Sequence, residues 1–322
     1  MAIGLRRGSR TSPPPAGTAG RGGRAVRAVT PTAFVVLWSS AFIAGVIGVD
    51  AAPPLLLTFA RFALAGVLLA AYAVAVRAPW PRGRRLAHLA VTGLLIQAVQ
   101  FGALYTALGM GLPAAVVALV QGLNPVLIAL LAGPLLGERI GARRWAGFAL
   151  GAAGVVLAVA DRIAVPAAAA AGTAAVLCVA GVLGLSLGTL YQKRFAADMD
   201  VRTGTAVQFL VAAPVLGLAS LAWETPRVGD WTAFGGALAW IVLVNSIGTF
   251  LLLNTMLKRA SASRVATLFF LTPSVTALLA FALVGQALDG LAIAGLVLGG
   301  AGVLLAGQSP PPQEESQEEP QE

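Results

Sequence analysis

The strongest constraint on this chain is that it repeats itself in apolar sequence. Sliding it by 148 residues places Asn124-Pro125 on Thr272-Pro273 and Gly137-Glu138 on Gly285-Gln286. The same shift places Gly147, Gly151 and Gly154 on Gly295, Gly299 and Gly302. Between Pro113–Ala158 and Ser261–Ala306, 20 of 46 aligned positions are identical without a gap. A composition rich in Ala, Leu and Gly raises that score, but it does not explain why the prolines and spaced glycines coincide. Residues 90–158 and 238–306 therefore read as two copies of one hydrophobic unit. Such internal duplication is characteristic of secondary transporters, whose sites form where two halves meet.

The chain is 58% hydrophobic and only 11% charged, with a mean hydropathy of +0.85. A soluble domain carries about a quarter charged residues, so a polytopic membrane protein is expected. At roughly 20 residues per crossing, the apolar runs predict ten helices. They fall near 30–49, 55–76, 87–108, 113–133, 142–160, 170–191, 203–222, 231–255, 264–284 and 289–307. The fourth is interrupted by Gly122, Pro125 and Pro134, and such breaks survive in lipid only where the freed backbone faces protein or a watery cavity.

Lys and Arg set the expected orientation. With the N-terminus inside, the inner connections hold 13 basic residues, namely Arg77, Arg82, Arg84, Arg85, Arg139, Arg143, Arg144, Lys193, Arg194, Arg202, Lys258, Arg259 and Arg264. The outer connections hold only Arg162 and Arg227, so both termini are expected in the cytoplasm. Five helices per unit is an odd number, so the second unit starts from the opposite face. The predicted class is an all-α integral membrane protein of ten transmembrane helices arranged as two inverted five-helix repeats, 30–160 and 168–306.

Residues 1–29 are rich in Arg, Gly and Pro and read as a disordered basic cytoplasmic arm. Arg6-Arg7 suggests a twin-arginine signal, but the next apolar run begins too late and is of full span length. Residues 307–322, with five Glu, read as an acidic disordered tail that aids solubility. The net charge of +9 invites a nucleic-acid reading. The basic residues instead fall in clusters between apolar runs, so no nucleic-acid partner is expected. The lone Cys178 lies within a span, so no disulfide, metal site or redox pair is expected. No nucleotide-binding loop and no catalytic constellation is present; no cofactor and no enzyme activity are expected.

Several short strings resemble the drug/metabolite transporter superfamily, specifically its EamA-like ten-helix permeases. Trp38-Ser39-Ser40-Ala41-Phe42 resembles a first-helix signature, and Arg61-Phe62 matches an intramembrane arginine. Asn124-Pro125 with Leu136-Gly137-Glu138-Arg139 resembles the element closing the fourth helix, which Ala262–Ala266, Pro273 and Gly285 repeat. The chain departs from the pattern at Gln286, where the second repeat usually has Glu. The resemblance covers about residues 30–307. It implies export or uptake of small metabolites, often amino acids or drugs, and does not identify the solute.

All 13 acidic residues fall outside mid-span positions, and His88 lies at the edge of the third helix. A carboxylate relay exchanging protons with a cationic drug is therefore not expected, and Glu138 reads as an interfacial partner of Arg139, Arg143 or Arg144. Arg61 is the one charge well inside a span. It is placed either to attract a solute carboxylate or to snorkel and cap a broken helix.

Uncharged amides are the other candidates, because they donate and accept without ionising. Gln97 and Asn245 occupy the same repeat position, Gln97 and Gln100 share a helix face, as do Gln121 and Asn124, and Asn254 and Thr272 fall on helices expected to border the cavity. Each alternatively serves as interhelical glue, worth about 1 kcal/mol in membranes. Trp38, Ser39 and Ser40 either wall the cavity or pack. The spaced glycines are assigned to close packing of the fifth and tenth helices, against each other or at a homodimer contact. The functional expectation is a secondary transporter moving a small polar, amino-acid-like solute by alternating access, most simply as an exporter across the plasma membrane. The alternatives are a multidrug efflux permease and a membrane scaffold or enzyme.

Overall fold

A computed structural model describes residues 21–112, 117, 120–137, 140–159, 169–284 and 290–307. Glu138, Arg139, Asp161, Arg162, Gly285, Gln286, Asp289, the arm before residue 21 and the tail after residue 307 lie outside the described residues. Within them the chain is helical, with no strand. The helices are α1 Arg21–Ala51, α2 Pro54–Ala75, α3 Arg84–Gly109 and α4 Val120–Leu136. They continue with α5 Ala142–Val159, α6 Ala169–Phe195, α7 Val201–Trp223, α8 Trp231–Arg259, α9 Ala262–Leu283 and α10 Gly290–Gly307. Seven of these (α1, α2, α3, α6, α7, α8 and α9) are long and apolar enough to cross a membrane. α1 starts at Arg21, earlier than the expected span, because Arg24–Val29 holds no breaker and continues the helix into Pro31.

Local chemistry sets the ends. Pro54 opens α2, where its missing N–H costs nothing. Asp200, Asp230 and Ser261 accept backbone N–H bonds at the starts of α7, α8 and α9. Gly137, with φ of 68°, ends α4 in the left-handed conformation that a side chain resists. The expected break in the fourth span is seen as a turn at Leu123, immediately before Asn124-Pro125. Its counterpart in α9 is a 3₁₀ stretch, Thr267–Leu271, immediately before Thr272-Pro273.

α1 packs on α8 and α9, and α6 packs on α3 and α4. α2 lies along α7, α5 lies along α10, and α3 touches α7 as α8 touches α2. Exchanging each helix for the one five places along leaves this set of pairs unchanged. The α5–α10 contact uses the spaced glycines: a Cβ on Gly302 would stand 2.6 Å from the Gly151 nitrogen, and one on Gly154 the same distance from the Gly299 nitrogen. These stripes are therefore filled within the chain.

One end of the bundle is strongly basic. There Thr203 Oγ1 donates to the Pro79 carbonyl at 2.8 Å. Lys258 Nζ donates to the Met199 carbonyl at 2.7 Å, and Lys193 Nζ to those of Leu257 and Ala260 at 2.6 and 2.7 Å. The other end carries exposed Trp223 and Trp231, and Glu224 accepts from the N–H groups of Leu55 and Leu56 at 2.8 and 3.0 Å. There Gly229 N also donates to the Ala51 carbonyl at 2.8 Å.

Two tests follow from these contacts. Gly302→Val drives a branched side chain into backbone, and overpacking of this kind costs about 1–3 kcal/mol. A lower melting temperature in detergent is expected, whereas Gly235→Ala, with nothing within 4 Å of its new methyl, should melt like the parent. The second test concerns Asp200. The Arg202 side chain, aided by the N–H groups of Thr203 and Arg202, holds its carboxyl below the usual 3.8. The carboxylate's contribution is present above the unfolded value and is lost as pH falls through the lowered folded value. Acid melting of the parent should thus show a stability loss below roughly pH 4 that Asp200→Asn lacks; equal acid sensitivity in both would contradict it.

Candidate functional site

Two helices leave the α-helical pattern at matched places. α3 adopts π-helical bonding over Leu94–Phe101 and α8 over Ile241–Thr249. Under the 148-residue shift the first stretch maps onto 242–249. π turns widen a helix by one residue and recur at functional sites. These two carry Gln97 and Gln100, and Asn245 and Ser246.

Between the bundle's centre and its tryptophan end lies a cavity lined by Trp38 and Phe42 of α1, Arg61 of α2, Phe101 and Tyr105 of α3, Gln121 of α4, and Asn245, Thr249 and Phe250 of α8. Its free space for the centres of water molecules is about 20 Å³, room for about one water. Arg61 is its charge. Seven residues from the start of α2, or roughly 10 Å along the helix, it is fully buried. Its Nε donates to Ser246 Oγ at 2.7 Å and an Nη to the Tyr105 hydroxyl at 3.2 Å. The guanidinium carbon sits 4.2 Å from the Phe101 ring centre and 4.9 Å from that of Phe62. No carboxylate among the described residues pairs with it; the ion pairs Arg85–Asp198 and Arg202–Asp200 lie at the basic end.

A fixed cation buried without an anion is costly in a low-dielectric interior. Cation–π contacts recover part of that, about 2 kcal/mol when desolvated, and two hydrogen bonds to neutral hydroxyls recover more. The arrangement still holds net positive charge beside the cavity. Two amide oxygens of its lining are buried without a partner, Gln121 Oε1 and Asn245 Oδ1. The cavity thus offers a guanidinium for an anion and carbonyl oxygens for a donor.

The candidate residues divide four ways. Trp38, Arg61, Gln121 and Asn245 meet at the cavity, and Ser40 joins them by accepting from Asn245 Nδ2 at 3.3 Å and from Trp240 Nε1 at 3.1 Å. Gln97 and Asn254 belong instead to a chain of amides nearer the basic end. Ser39 donates to the Thr272 carbonyl at 3.3 Å, and Asn124 accepts from Ser186 at 2.8 Å, tying α1 to α9 and α6 to α4. Gln100 is fully buried and outside the cavity lining. Tyr105, Ser246, Phe101, Thr249 and Gln208 were not among the sequence candidates. The signal that finds Gln208 is a second offset: shifting by 147 residues places Arg61-Phe62 on Gln208-Phe209 and Ser39 on Ser186.

A bundle of long apolar helices around a small interior cavity with one buried charge defines a multi-pass membrane protein. Comparison with known proteins gives the family. The EamA-like transporter family matches the chain twice, over residues 32–160 and 172–308, and the chain belongs to that family. It is a membrane transporter of EamA type. It is 28% identical over 264 residues to the "Uncharacterized inner membrane transporter YedA" of Escherichia coli (strain K12), covering 80% of this chain and 82% of that one. A "Probable amino-acid metabolite efflux pump" of the same organism is 28% identical over 275 residues, covering 82% and 89%. A "Probable terminal-alkyne amino-acid exporter" of Streptantibioticus cattleyicolor is 30% identical over 278 residues, covering 84% and 90%. A solved crystal structure shares the fold with a TM-score of 0.72 at 23% identity, covering 88% of this chain and 96% of that one.

Arg61→Leu separates a receptor from a brace. Replacing a buried, uncompensated charge by an apolar side chain is often neutral or stabilising. Arg61→Leu should therefore melt no lower than the parent in detergent while solute flux is lost. Tyr105→Phe leaves the cation with one hydrogen bond fewer and should lower stability by about 1.5–3 kcal/mol, the range for bonds to charged groups. Unfolding of Arg61→Leu would make the arginine structural.

Proposed function

We propose that the protein is a secondary transporter that moves a small zwitterionic, amino-acid-like solute across the plasma membrane by alternating access, in the direction of export. The observation that carries this reading is Arg61, wholly buried and facing the cavity with no carboxylate partner among the described residues. The solute's carboxylate completes that cation, and its ammonium group meets the unpartnered oxygens of Gln121 and Asn245. Trp38, Phe42 and Phe250 stack on the remainder. Two relatives named for amino-acid efflux and amino-acid export support the same solute class and direction.

The organisation proposed is ten crossings in two inverted units, 30–160 and 168–306, between a basic arm and an acidic tail. The helix pairs that persist when each helix is exchanged for its fifth successor support it, as do the matched π stretches. Both termini and the basic end face the cytoplasm, in keeping with the bias of Lys and Arg. Trp223 and Trp231 at the opposite end suit the outer interface, where indoles concentrate. A cationic drug is the poorer solute, because a guanidinium repels it and no acidic side chain among the described residues lines the cavity.

Counterflow in proteoliposomes tests the solute class. Vesicles loaded with a panel of amino acids should exchange labelled solute through the protein. The methyl ester of a transported amino acid, which lacks the anion, should compete at least about tenfold less well, the effect of roughly 1.4 kcal/mol. An ester that competes as well as the acid, or a preference for lipophilic cations, would contradict the assignment.

A further inference from the structure

On the basic side of the cavity the core changes character twice. First comes an aromatic layer: Phe62 stacks on Phe209 at 5.3 Å and 27°, Phe209 meets Phe250 at 5.7 Å, and Phe62 meets Phe101 at 5.6 Å. Beneath it runs a chain of neutral amides across four helices. Gln97 Nε2 of α3 donates to Gln208 Oε1 of α7 at 3.5 Å, and Gln208 Nε2 donates to Gln192 Oε1 of α6 at 3.0 Å. Gln192 Nε2 donates to Asn254 Oδ1 of α8 at 2.9 Å, and Asn254 Nδ2 to Thr205 Oγ1 of α7 at 2.6 Å. Gln97, Gln192, Gln208, Asn254 and Thr205 are all buried.

The chain ends close to a second hollow. At the basic end a cavity with about 140 Å³ for water centres is lined by Trp80, Arg85, Phe195, Asp198, Met199 and Thr203, among others. Met199 stands between the two, lining that hollow while its Sδ lies 3.8 Å from Gln208 Nε2. Its carbonyl is in turn held by Lys258 at 2.7 Å. Met199, packed with Leu89, Ala196 and Val207, thus links the basic-end hollow to the line of amides.

We propose that this amide chain, with Met199 beneath it, is the inner gate of the transporter. Gln208 is its central joint and the uncharged counterpart of Arg61. This rests on the alternating-access reading above. The 147-residue shift maps Arg61-Phe62 onto Gln208-Phe209, and the stacked rings put the two positions side by side where the units meet. Around Arg61 the matching place is a cavity; around Gln208 it is a closed line of hydrogen bonds. A barrier that must open in every cycle has to be weak at each joint, and amide bonds between membrane helices average only about 0.6 kcal/mol. The weakest joint is the 3.5 Å contact of Gln97, whose Oε1 has no partner. That joint couples α3 to α7, so parting there separates the first unit from the second.

Site-directed labelling tests the gate without any solute, so an error in the solute class leaves it intact. With Cys178 replaced by Ala, single reporters are placed at Ala41, which lines the cavity, and at Thr189, which is buried one turn from Gln192. A membrane-impermeant thiol reagent is applied to right-side-out and to inside-out vesicles. Gln208→Leu and, independently, Asn254→Leu sever the chain. Each should speed labelling of Thr189→Cys from the inner side about three- to eightfold, the shift expected for a two-state equilibrium biased by one or two bonds of about 0.6 kcal/mol, and slow labelling of Ala41→Cys from the outer side. Unchanged rates at both reporters would overturn the gate, as would a parallel rise at both, which indicates general loosening. Loss of the fold in both variants would make the chain a structural scaffold and overturn it equally.

Discussion

Burying the Arg61 guanidinium with no carboxylate among the described residues beside it organises the centre of this protein. The cost of that burial is several kcal/mol, and the residues about Arg61 are arranged to reduce it without cancelling it. Tyr105 and Ser246 accept its hydrogen bonds, and Phe101 and Phe62 present their faces. None of the four carries an opposing charge. The remaining positive potential is what a transported anion can complete, and in the proposed cycle it is released again when that anion leaves. A structural ion pair in the same place would hold the helices more firmly and leave nothing for a solute to bind.

The helix pairs that persist when each helix is exchanged for its fifth successor frame where the rest of the polar groups go. Matched π stretches carry Gln97 and Asn245, both buried in the core. On the tryptophan side the widened helix borders a cavity, with Asn245 bonded to Ser40. On the basic side it feeds a line of amides that bond one another. The replacement of Arg61 by Gln208 in the second unit is the sharpest departure from symmetry. A second buried arginine would repel the first across the Phe62–Phe209 stack, so one cation is the number that this core tolerates. By contrast, α5 and α10 take no part in these clusters: their glycines bring backbone against backbone, and the stripe leaves no room for polar side chains.

Apart from the starts of α1 and α4, the ends of the helices were legible in the sequence to within a few residues, because hydropathy over 20 residues is a sum that local detail barely disturbs. The break before Pro125 was legible because proline removes a donor, whereas its counterpart before Pro273 was not read from the sequence. The site was only half legible. Arg61, Trp38, Gln121 and Asn245 stand out as polar or large residues in apolar runs, and they meet. Tyr105 and Ser246 do not stand out, since a hydroxyl within a span usually bonds its own helix. Whether an amide lines a cavity or joins a relay depends on a one-residue widening of the helix, which no composition encodes. Gln208 was hidden because the offset between the units changes from 148 to 147 residues, so a single alignment shift does not reveal its relation to Arg61.

A structure of the protein with a transported amino acid bound tests the central claim most directly. The account predicts the solute carboxylate within about 3.2 Å of the Arg61 guanidinium, as charge-assisted hydrogen bonds require, with the ammonium group toward Gln121 and Asn245. A solute held elsewhere, with Arg61 still bonded only to Ser246 and Tyr105, would contradict it.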